Sequence, residues 1–351
     1  MSDSHTNPPA ARWPHWAEVL LHHFIVALLV ASVVTLLHAH GALGWLDAVM
    51  LNAAGQAQGE ASAAAEPNGD MPVVLIIGAE LYERDFAQTS PLNRRKLAQL
   101  IRSIVQDEGQ VPDLLVVDLD LSPIPGGEDK KLAQGELDDA LEKLVAAGTR
   151  LLLPLPARAV TPELQALKFS WLERVCRWNI PGQPARVALG LTEVKEHLGR
   201  VLQYDKRQAT LGVVAADFAR ADFLCRRVLE DPAKWRAPFV STLFNSRIFD
   251  TGNSGGGLKP FNARFFRSLD DHLLVADSID RLPFAAGGGR PSLVGRTIFL
   301  GGGYDEKDRF LTPLDPAGSK VEGVVIHAAT GFSARHPVTV GDGLFAFGLD
   351  I

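Results

Sequence analysis

The strongest constraint on the fold is a series of short apolar runs that alternate with amphipathic segments along the chain. Pro72–Gly78 (PVVLIIG) and Asp113–Leu121 (DLLVVDLDL) are aliphatic runs, a pattern typical of strands that are covered on both faces. Between them, Ser90 can cap a helix whose first residue is Pro91. The apolar residues that recur at helical spacing in this segment are Leu97, Leu100, Ile101, Ile104 and Val105. The spacing therefore predicts a helix that packs on a sheet.

The same alternation continues through the rest of the chain. A second amphipathic helix ends near Gly148, and a third begins at Thr161. Further strands are predicted at Leu151–Leu153, Arg186–Gly190, Val201–Tyr204 and Thr297–Gly301, and further helices at Leu211–Leu229 and Val324–Phe332. Asp231–Gly289 contains glycine clusters and is predicted to be irregular and to cover one edge of the sheet. This order predicts an α/β fold, a single large domain with a mostly parallel sheet flanked by helices.

The N-terminal part of the chain has a different pattern. Val19–Leu37 contains no Lys, Arg, Asp or Glu and has about the length of a helix that spans a bilayer. The sequence therefore predicts a cytoplasmic tail at 1–18, one transmembrane helix at 19–37, a linker at 38–71 and a folded domain at 72–351. A cleaved signal peptide is the alternative, but the small residues at Ala61–Ala65 lie far beyond the apolar stretch.

Charge and cysteine content indicate which classes of partner and which cellular compartment fit the sequence. The formal charge of -6, from 35 basic and 41 acidic residues, gives no electrostatic footprint for nucleic acid. Arg12 is the only basic residue before the apolar span, so the positive-inside rule leaves the N-terminus in the cytoplasm. We therefore expect a single-pass protein of the inner membrane whose C-terminal domain is periplasmic or extracellular. Cys176 and Cys225 can form one disulfide there or remain two buried thiols, and the sequence leaves both open.

The glycine turn Gly301–Gly303 is the first candidate site. A glycine-rich turn after a strand can bind phosphate through backbone N–H groups. Here, however, Tyr304, Asp305 and Glu306 follow the glycines, and their carboxylates would repel a phosphate. Two roles stay open for this turn. The glycines can adopt positive φ where the chain passes from a strand to a helix, or the turn can line a ligand pocket.

Acidic residues offer a second kind of site. Asp305, Glu306 and Asp308, joined by Asp118 and Asp120 near another strand end, can supply the oxygen ligands that hard cations prefer. The calcium-loop pattern is absent, so a solvated acidic loop is the favoured interpretation. His327, at the start of a helix, is interpreted as a hydrogen-bonded structural residue. No nucleophile elbow or zinc-protease motif occurs in the sequence, and composition and spacing alone predict no enzyme, cofactor or metal.

Two motifs near the C-terminus carry a resemblance to a known family. DRFLTP (Asp308–Pro313), followed by GVVIHA (Gly323–Ala328), resembles the C-terminal signature of the CHASE2 family. Ser90, Pro91 and Arg94–Leu97 are similar to that family's helix start, and Asp118 within VVDLDLS matches its strand motif. The resemblance extends over Pro72–Arg335, with Val325 where the family usually has Glu.

The resemblance implies a role rather than a substrate. CHASE2 domains are extracytoplasmic sensory modules of bacterial receptors, and they commonly precede further membrane helices and a cytoplasmic output domain. We therefore expect a membrane-anchored sensory domain in signal transduction, without catalytic activity, that responds to a small-molecule or protein signal. The positions expected to line a ligand pocket or to form the signature are Asn93, Arg94, Asp118, Asp120, Asp308, Thr312, Pro313 and His327.

Other interpretations stay open. One is a membrane-tethered, metal-dependent hydrolase that uses Asp118, Asp120, Asp305 and Asp308. Another is a membrane scaffold that binds a separate output protein through the surface around Phe261–Phe266. No heptad pattern decides whether the chain forms a homodimer. The apolar segment GLFAFGLDI (343–351) is too short to span a bilayer, so the sequence does not decide whether further membrane helices follow.

Overall fold

In a computed structural model, the described residues are 15–39, 70–104, 111–155, 161–194, 201, 203–206, 208–218, 222–230, 258–280, 293–312 and 320–337. The predicted linker (apart from its ends), the C-terminal segment 343–351 and Pro313 lie outside them. The described helices are α1 (His15–Ala39), α2 (Ala79–Phe86), α3 (Arg94–Ser103), α4 (Glu128–Ala146), α5 (Pro162–Cys176), α6 (Leu211–Ala216), α7 (Asp222–Glu230), α8 (Ala263–Arg267) and α9 (Gly323–Arg335). The described strands are β1 (Val73–Ile77), β2 (Leu114–Asp118), β3 (Arg150–Pro154), β4 (Val187–Gly190), β5 (Gln203–Asp205), β6 (Leu258–Pro260), β7 (Leu273–Ala276), β8 (Thr297–Gly302), β9 (Arg309–Leu311) and β10 (Lys320–Glu322). Helix α1 belongs to one compact unit and the other elements to a second.

A six-stranded sheet forms the centre of the second unit. Its strand order is β4-β3-β2-β8-β1-β7, and every neighbouring pair is parallel. The aliphatic side chains of β1, β2 and β3 are buried because parallel strands are covered on both faces. The predicted α/β class, with a mostly parallel sheet flanked by helices, is confirmed.

Helix α9 packs on the central strand β8 and against α6. A Cβ atom at Gly301 would lie 2.5 Å from the Cβ of Val324, in the first turn of α9, so only glycine permits this approach. The sequence-based reason for these glycines was wrong, because Gly301 and Gly302 belong to β8 and neither they nor Gly303 have positive φ. The glycines therefore allow close packing at the strand end.

Several predicted elements differ from the observed ones. Helix α3 begins at Arg94 rather than at Pro91, because the Asn93 side chain accepts hydrogen bonds from the first turn and Ser90 does not cap it. The predicted helix Leu211–Leu229 is two helices, with a break after Ala216. The region predicted to be irregular supplies β7, an edge strand of the main sheet. The strand predicted at Val201–Tyr204 is the short β5, which pairs with β6 outside that sheet.

One covalent link lies away from the sheet centre. Cys176 of α5 and Cys225 of α7 form a disulfide, and both cysteines are buried. Of the two possibilities that the sequence left open, the structure has the bridge. It joins two helices across 49 residues of chain and so restricts the unfolded state.

Helix α1 covers the segment that was expected to span a membrane. It is regular over His15–Ala39, and its described apolar side chains are exposed, with Leu20 and Phe24 at 60% and 65%. None of the helices among the described residues combines the length and the hydropathy that a membrane span requires.

Candidate functional site

The candidate site lies at the carboxyl ends of the three central strands. Asp118 is the last residue of β2 and is paired with Gly301 of β8, while Gly302 is paired with Ile77 at the end of β1. Ligands of open α/β sheets bind beyond this edge, because loops there leave a crevice. Three of the predicted positions, Asp118, Asp308 and His327, converge at this edge.

Asp308 connects the two motifs that carry the family resemblance. It ends a single 3₁₀ turn, Glu306–Asp308, that follows β8. A Cβ atom at Gly323, the first residue of α9, would overlap Oδ1 of Asp308, so the carboxyl group lies against the start of that helix. The motifs DRFLTP and GVVIHA are therefore in direct contact in the fold. The carboxyl group of Asp308 therefore packs against the backbone at the start of α9.

His327 lies one turn further along α9. Its side chain is 2% exposed, and its Nε2 atom is 3.9 Å from Oδ1 of Asp118, whose side chain is 9% exposed. The same Nε2 atom lies 3.3 Å from the backbone oxygen of Thr192, just after β4. Because a carbonyl oxygen only accepts, Nε2 carries the proton in this contact. His327 is hydrogen-bonded as expected, and it is also adjacent to a carboxyl group.

Burial determines the charge state of this cluster. It raises the pKa of Asp118 to about 7 and lowers the pKa of His327 to about 4. The pKa of Asp308 also rises to about 7, mainly through burial and then through the charge of Asp118. Among the described residues, no Lys or Arg forms an ion pair with Asp118 or Asp308. Both carboxyl groups and the imidazole therefore favour their neutral forms in weakly acidic solution.

Sequence reasoning missed two aromatic residues beside this cluster. Tyr304 follows the glycine turn and stacks on Tyr82 of α2, with ring centroids 3.8 Å apart. Burial, with the charges of Tyr82, Asp308, Asp305 and Asp118 as smaller causes, raises the pKa of Tyr304 to about 12. The tyrosine next to the glycines was the available signal, but its partner comes from a short helix that the sequence pattern did not predict. The stacked pair places two aromatic rings at the strand ends.

Asp120 does not join the cluster. It accepts hydrogen bonds from the backbone N–H and hydroxyl of Ser122 and from Nζ of Lys168, at 2.6 Å for the lysine. Although burial opposes the change, these hydrogen bonds and the lysine charge lower the pKa of Asp120. Asp120 is therefore a paired carboxylate that holds α5 to the end of β2.

The remaining predicted positions have structural roles or lie apart from the cluster. Asn93 is an exposed helix cap. Arg94 is 4% exposed and donates a 2.6 Å hydrogen bond to the backbone oxygen of Ser122. Burial lowers the pKa of Arg94, while Asp120, Asp138 and Tyr304 act in the opposite direction. Thr312 is buried. These contacts connect α3 to the β2 loop rather than forming a shared pocket with Asp118.

The acidic residues do not form a metal centre in the described part of the chain. No group of three or more His, Cys, Asp or Glu side chains there is arranged to hold a metal ion. Asp305 accepts a hydrogen bond from the backbone N–H of Lys307 and so caps the 3₁₀ turn. Of the four carboxylates that the hydrolase interpretation required, Asp118 and Asp308 lie in one cluster, whereas Asp120 binds Lys168 and Asp305 caps a turn.

A small cleft is lined in part by His327. Its volume is about 40 Å³, and its polar lining includes His327, Glu193, Tyr204, Gln208, Thr210 and Thr330. Phe261 and Ile326 contribute apolar surface. Burial raises the pKa of Tyr204 to about 12, so its hydroxyl is a neutral donor or acceptor here. His327 therefore belongs both to the carboxyl cluster and to a cleft with hydrogen-bonding side chains.

Comparisons of the chain with family models, with curated proteins and with solved structures return no match. The resemblance to the CHASE2 family therefore rests on the motifs in the sequence.

Proposed function

We propose that residues 72–351 form an extracytoplasmic sensory domain of CHASE2 type that binds a small ligand and is tethered to a bacterial membrane. The observation that carries the proposal is the direct contact between the two signature motifs, through Asp308 and Gly323, at the carboxyl ends of the central strands. Residues from separate motifs that meet at this edge of an α/β sheet are typical of a recognition site. The ligand site would comprise the Asp118–Asp308–His327 cluster and the adjoining cleft.

Two further features support the location. The disulfide between Cys176 and Cys225 is typical of proteins that fold in an oxidising compartment, such as the periplasm. The described apolar side chains of α1 are exposed, and a helix with such a surface is stable when lipid or protein covers it. The anchor is proposed from the sequence of Val19–Leu37 as a whole, which has no ionisable side chain other than histidine.

The hydrolase interpretation receives less support. It requires Asp118, Asp120, Asp305 and Asp308 to converge on one divalent ion. Asp120 is instead bound to Lys168, and Asp305 caps a turn. A lysine ammonium beside a ligand carboxylate competes with a metal for the same oxygen atoms. The sensory interpretation does not need Asp120 in the site.

Topology and ligand binding test the proposal separately. A reporter enzyme that is active only outside the cytoplasm, fused after Ile351 of the full chain, should be active in bacterial cells. A reporter that is active only in the cytoplasm should be inactive at the same position, and the reverse pattern would contradict the proposal. A thermal-shift screen of the full chain in detergent then searches for the ligand, and Asp308→Ala should remove the shift that a hit produces.

A further inference from the structure

The position of His327 between two acceptors suggests how the proposed site is regulated. On one side, its Nε2 atom lies 3.3 Å from the backbone oxygen of Thr192. On the other, the same atom lies 3.9 Å from Oδ1 of Asp118. One N–H group cannot make a good hydrogen bond to both oxygens at once. The acceptor that the N–H uses depends on the protonation of Asp118. A carboxylate is a stronger acceptor than a backbone carbonyl, whereas a protonated carboxyl group is not a stronger acceptor than that carbonyl.

The surroundings make the charge of Asp118 the variable in this competition. The titratable and charged groups around the pair are Asp308 and Asp305 at the 3₁₀ turn, Glu322 of β10 with its partner Arg309 of β9, Tyr304 after β8, Tyr82 of α2 and Glu193 after β4. Most of these groups are acids, and Arg309 is engaged by Glu322 and Glu306. A negative charge on Asp118 therefore has no cation beside it in the described part of the chain. The N–H of His327, whose nitrogen lies 3.9 Å from Oδ1 of Asp118, is a group that can stabilise it.

We propose that Asp118 and His327 form a proton-operated switch that controls the cleft beside β4. When Asp118 is neutral, His327 donates to Thr192 and holds residues 191–194 in place. When Asp118 loses its proton, the imidazole N–H moves to the carboxylate, and Thr192 is released. The binding and loss of a proton at Asp118 thereby change the wall of the cleft that contains Glu193.

Segment 191–194 is suited to respond to this change. Leu191 makes two backbone hydrogen bonds at the start of α6. Its N–H donates to the oxygen of Ala209, and its oxygen accepts from the N–H of Leu211, the first residue of α6. Beyond Leu191 the segment runs along the cleft, and the contact with His327 is the attachment that Thr192 makes to α9. Loss of one hydrogen bond at such a site weakens a local unit more than it weakens the whole domain. The upward shift of the Asp118 pKa places the transition near neutral pH.

The inference rests on the proposed function, because it concerns regulation of the same ligand site. Hydrogen exchange of the full chain in detergent, followed by mass spectrometry of the peptide 187–194, tests it with the proton itself as the probe. After correction for the intrinsic pH dependence of exchange, we expect about tenfold faster exchange at pH 8 than at pH 6. In Asp118→Asn, whose side chain cannot ionise, the corrected rates should be equal at the two pH values.

Two further variants complete the test. Asp113→Asn removes a carboxylate at the opposite end of β2, where Asp113 pairs with Arg150, and should respond to pH as the wild type does. If Asp118→Asn fails to fold, His327→Gln replaces it in the test. Glutamine keeps a donor for Thr192 but lacks the imidazole, so this variant should lose the pH response. Equal corrected rates in the wild type, or an unchanged pH response in Asp118→Asn, would overturn the switch. The topology reporter is independent of both outcomes, so a failed switch and a failed sensory role are distinguishable.

Discussion

Asp118 and Asp120 lie two residues apart at the end of β2, yet their surroundings have opposite effects. Asp120 receives hydrogen bonds from Ser122 and Lys168, which lower its pKa. Asp118 has neither a described ion pair with Lys or Arg nor open solvent, and burial raises its pKa to about 7. The partner of a carboxyl group, rather than its residue type or its place on a strand, therefore determines whether its pKa is lowered or raised.

The packing of Asp308 on α9 is the contact whose loss should disturb the Asp118 region most. Gly323→Ala introduces a methyl group that overlaps Oδ1 of Asp308, so either the carboxyl group or the helix must move. We expect a loss of about 3 kcal/mol in the free energy of unfolding, measured by chemical denaturation.

Gly135→Ala is the matched control for that substitution. Gly135 lies in α4, and an added Cβ there would meet no atom within 4 Å. This control should be neutral or more stable by about 1 kcal/mol, because alanine favours helix. Equal effects of the two alanines would show that Asp308 does not depend on a glycine at the start of α9.

Neutralising Asp118 should have the next largest effect, and its sign depends on pH. The raised pKa of Asp118 means that its contribution to stability is fully present below its ordinary value of 3.8 and is lost as pH rises to about 7. Asp118→Asn should therefore be more stable than the wild type at pH 8, by about 2 kcal/mol, and lack that difference near pH 4. Thermal or chemical unfolding at both pH values measures the change.

His327 modifies the pH profile in the opposite sense. Its pKa is lowered to about 4, so its contribution to stability is present above its ordinary value of 6.5 and is lost as pH falls through 4. Between these values it offsets part of the loss caused by Asp118 and Asp308. The advantage of Asp118→Asn should thus be clearest above pH 7, and a variant that was less stable than the wild type at pH 8 would contradict the account.

Neutralising Asp120 should have the smallest effect and the opposite sign. Asp120→Asn weakens the ion pair with Lys168, and because the Asp120 side chain is 38% exposed, solvent screens much of that pair. We expect a loss of about 1 kcal/mol at pH 7. Because the pKa of Asp120 is lowered, this loss should vanish as pH falls through that pKa, below 3.8.

Glu128→Gln provides a comparison for the Asp120 substitution. Glu128 forms an exposed pair with Lys131 in α4, and its removal should change stability very little. If Asp120→Asn had no larger effect than Glu128→Gln, the link between the β2 loop and α5 would not contribute to stability.

The centre of the sheet could be predicted from sequence because buried parallel strands leave continuous apolar runs. The runs that became β1, β2 and β8 are of this kind. The edge strand β7 was missed because its apolar run, Leu273–Ala276, has only four residues and lies within a region that was predicted to be irregular. The requirement for glycine at position 301 could not be predicted for the right reason, because it arises from close packing against Val324, which is distant in sequence.

Residues of the candidate site could be predicted only where they belong to a recognisable sequence motif. Asp118, Asp308 and His327 were found in this way, although their separation in sequence gave no distance between them. Asp120 was grouped with them because it lies in the same run, and its partner Lys168 comes from α5, which no local pattern links to β2. The stacking of Tyr82 on Tyr304 likewise requires two elements to meet. Tertiary partners therefore decide which of several similar side chains belong to a site.

The contrast between Asp118 and Asp120 can be measured as two carboxyl pKa values in one sample. Full-length protein with ¹³C-labelled aspartate carboxyl groups can be titrated by NMR, with Asp118→Asn and Asp120→Asn used to assign the two signals. We expect a midpoint near 7 for Asp118 and one below 3.8 for Asp120. Two midpoints close to 3.8 would contradict this expectation, because Asp118 would then be an ordinary solvated or paired carboxylate.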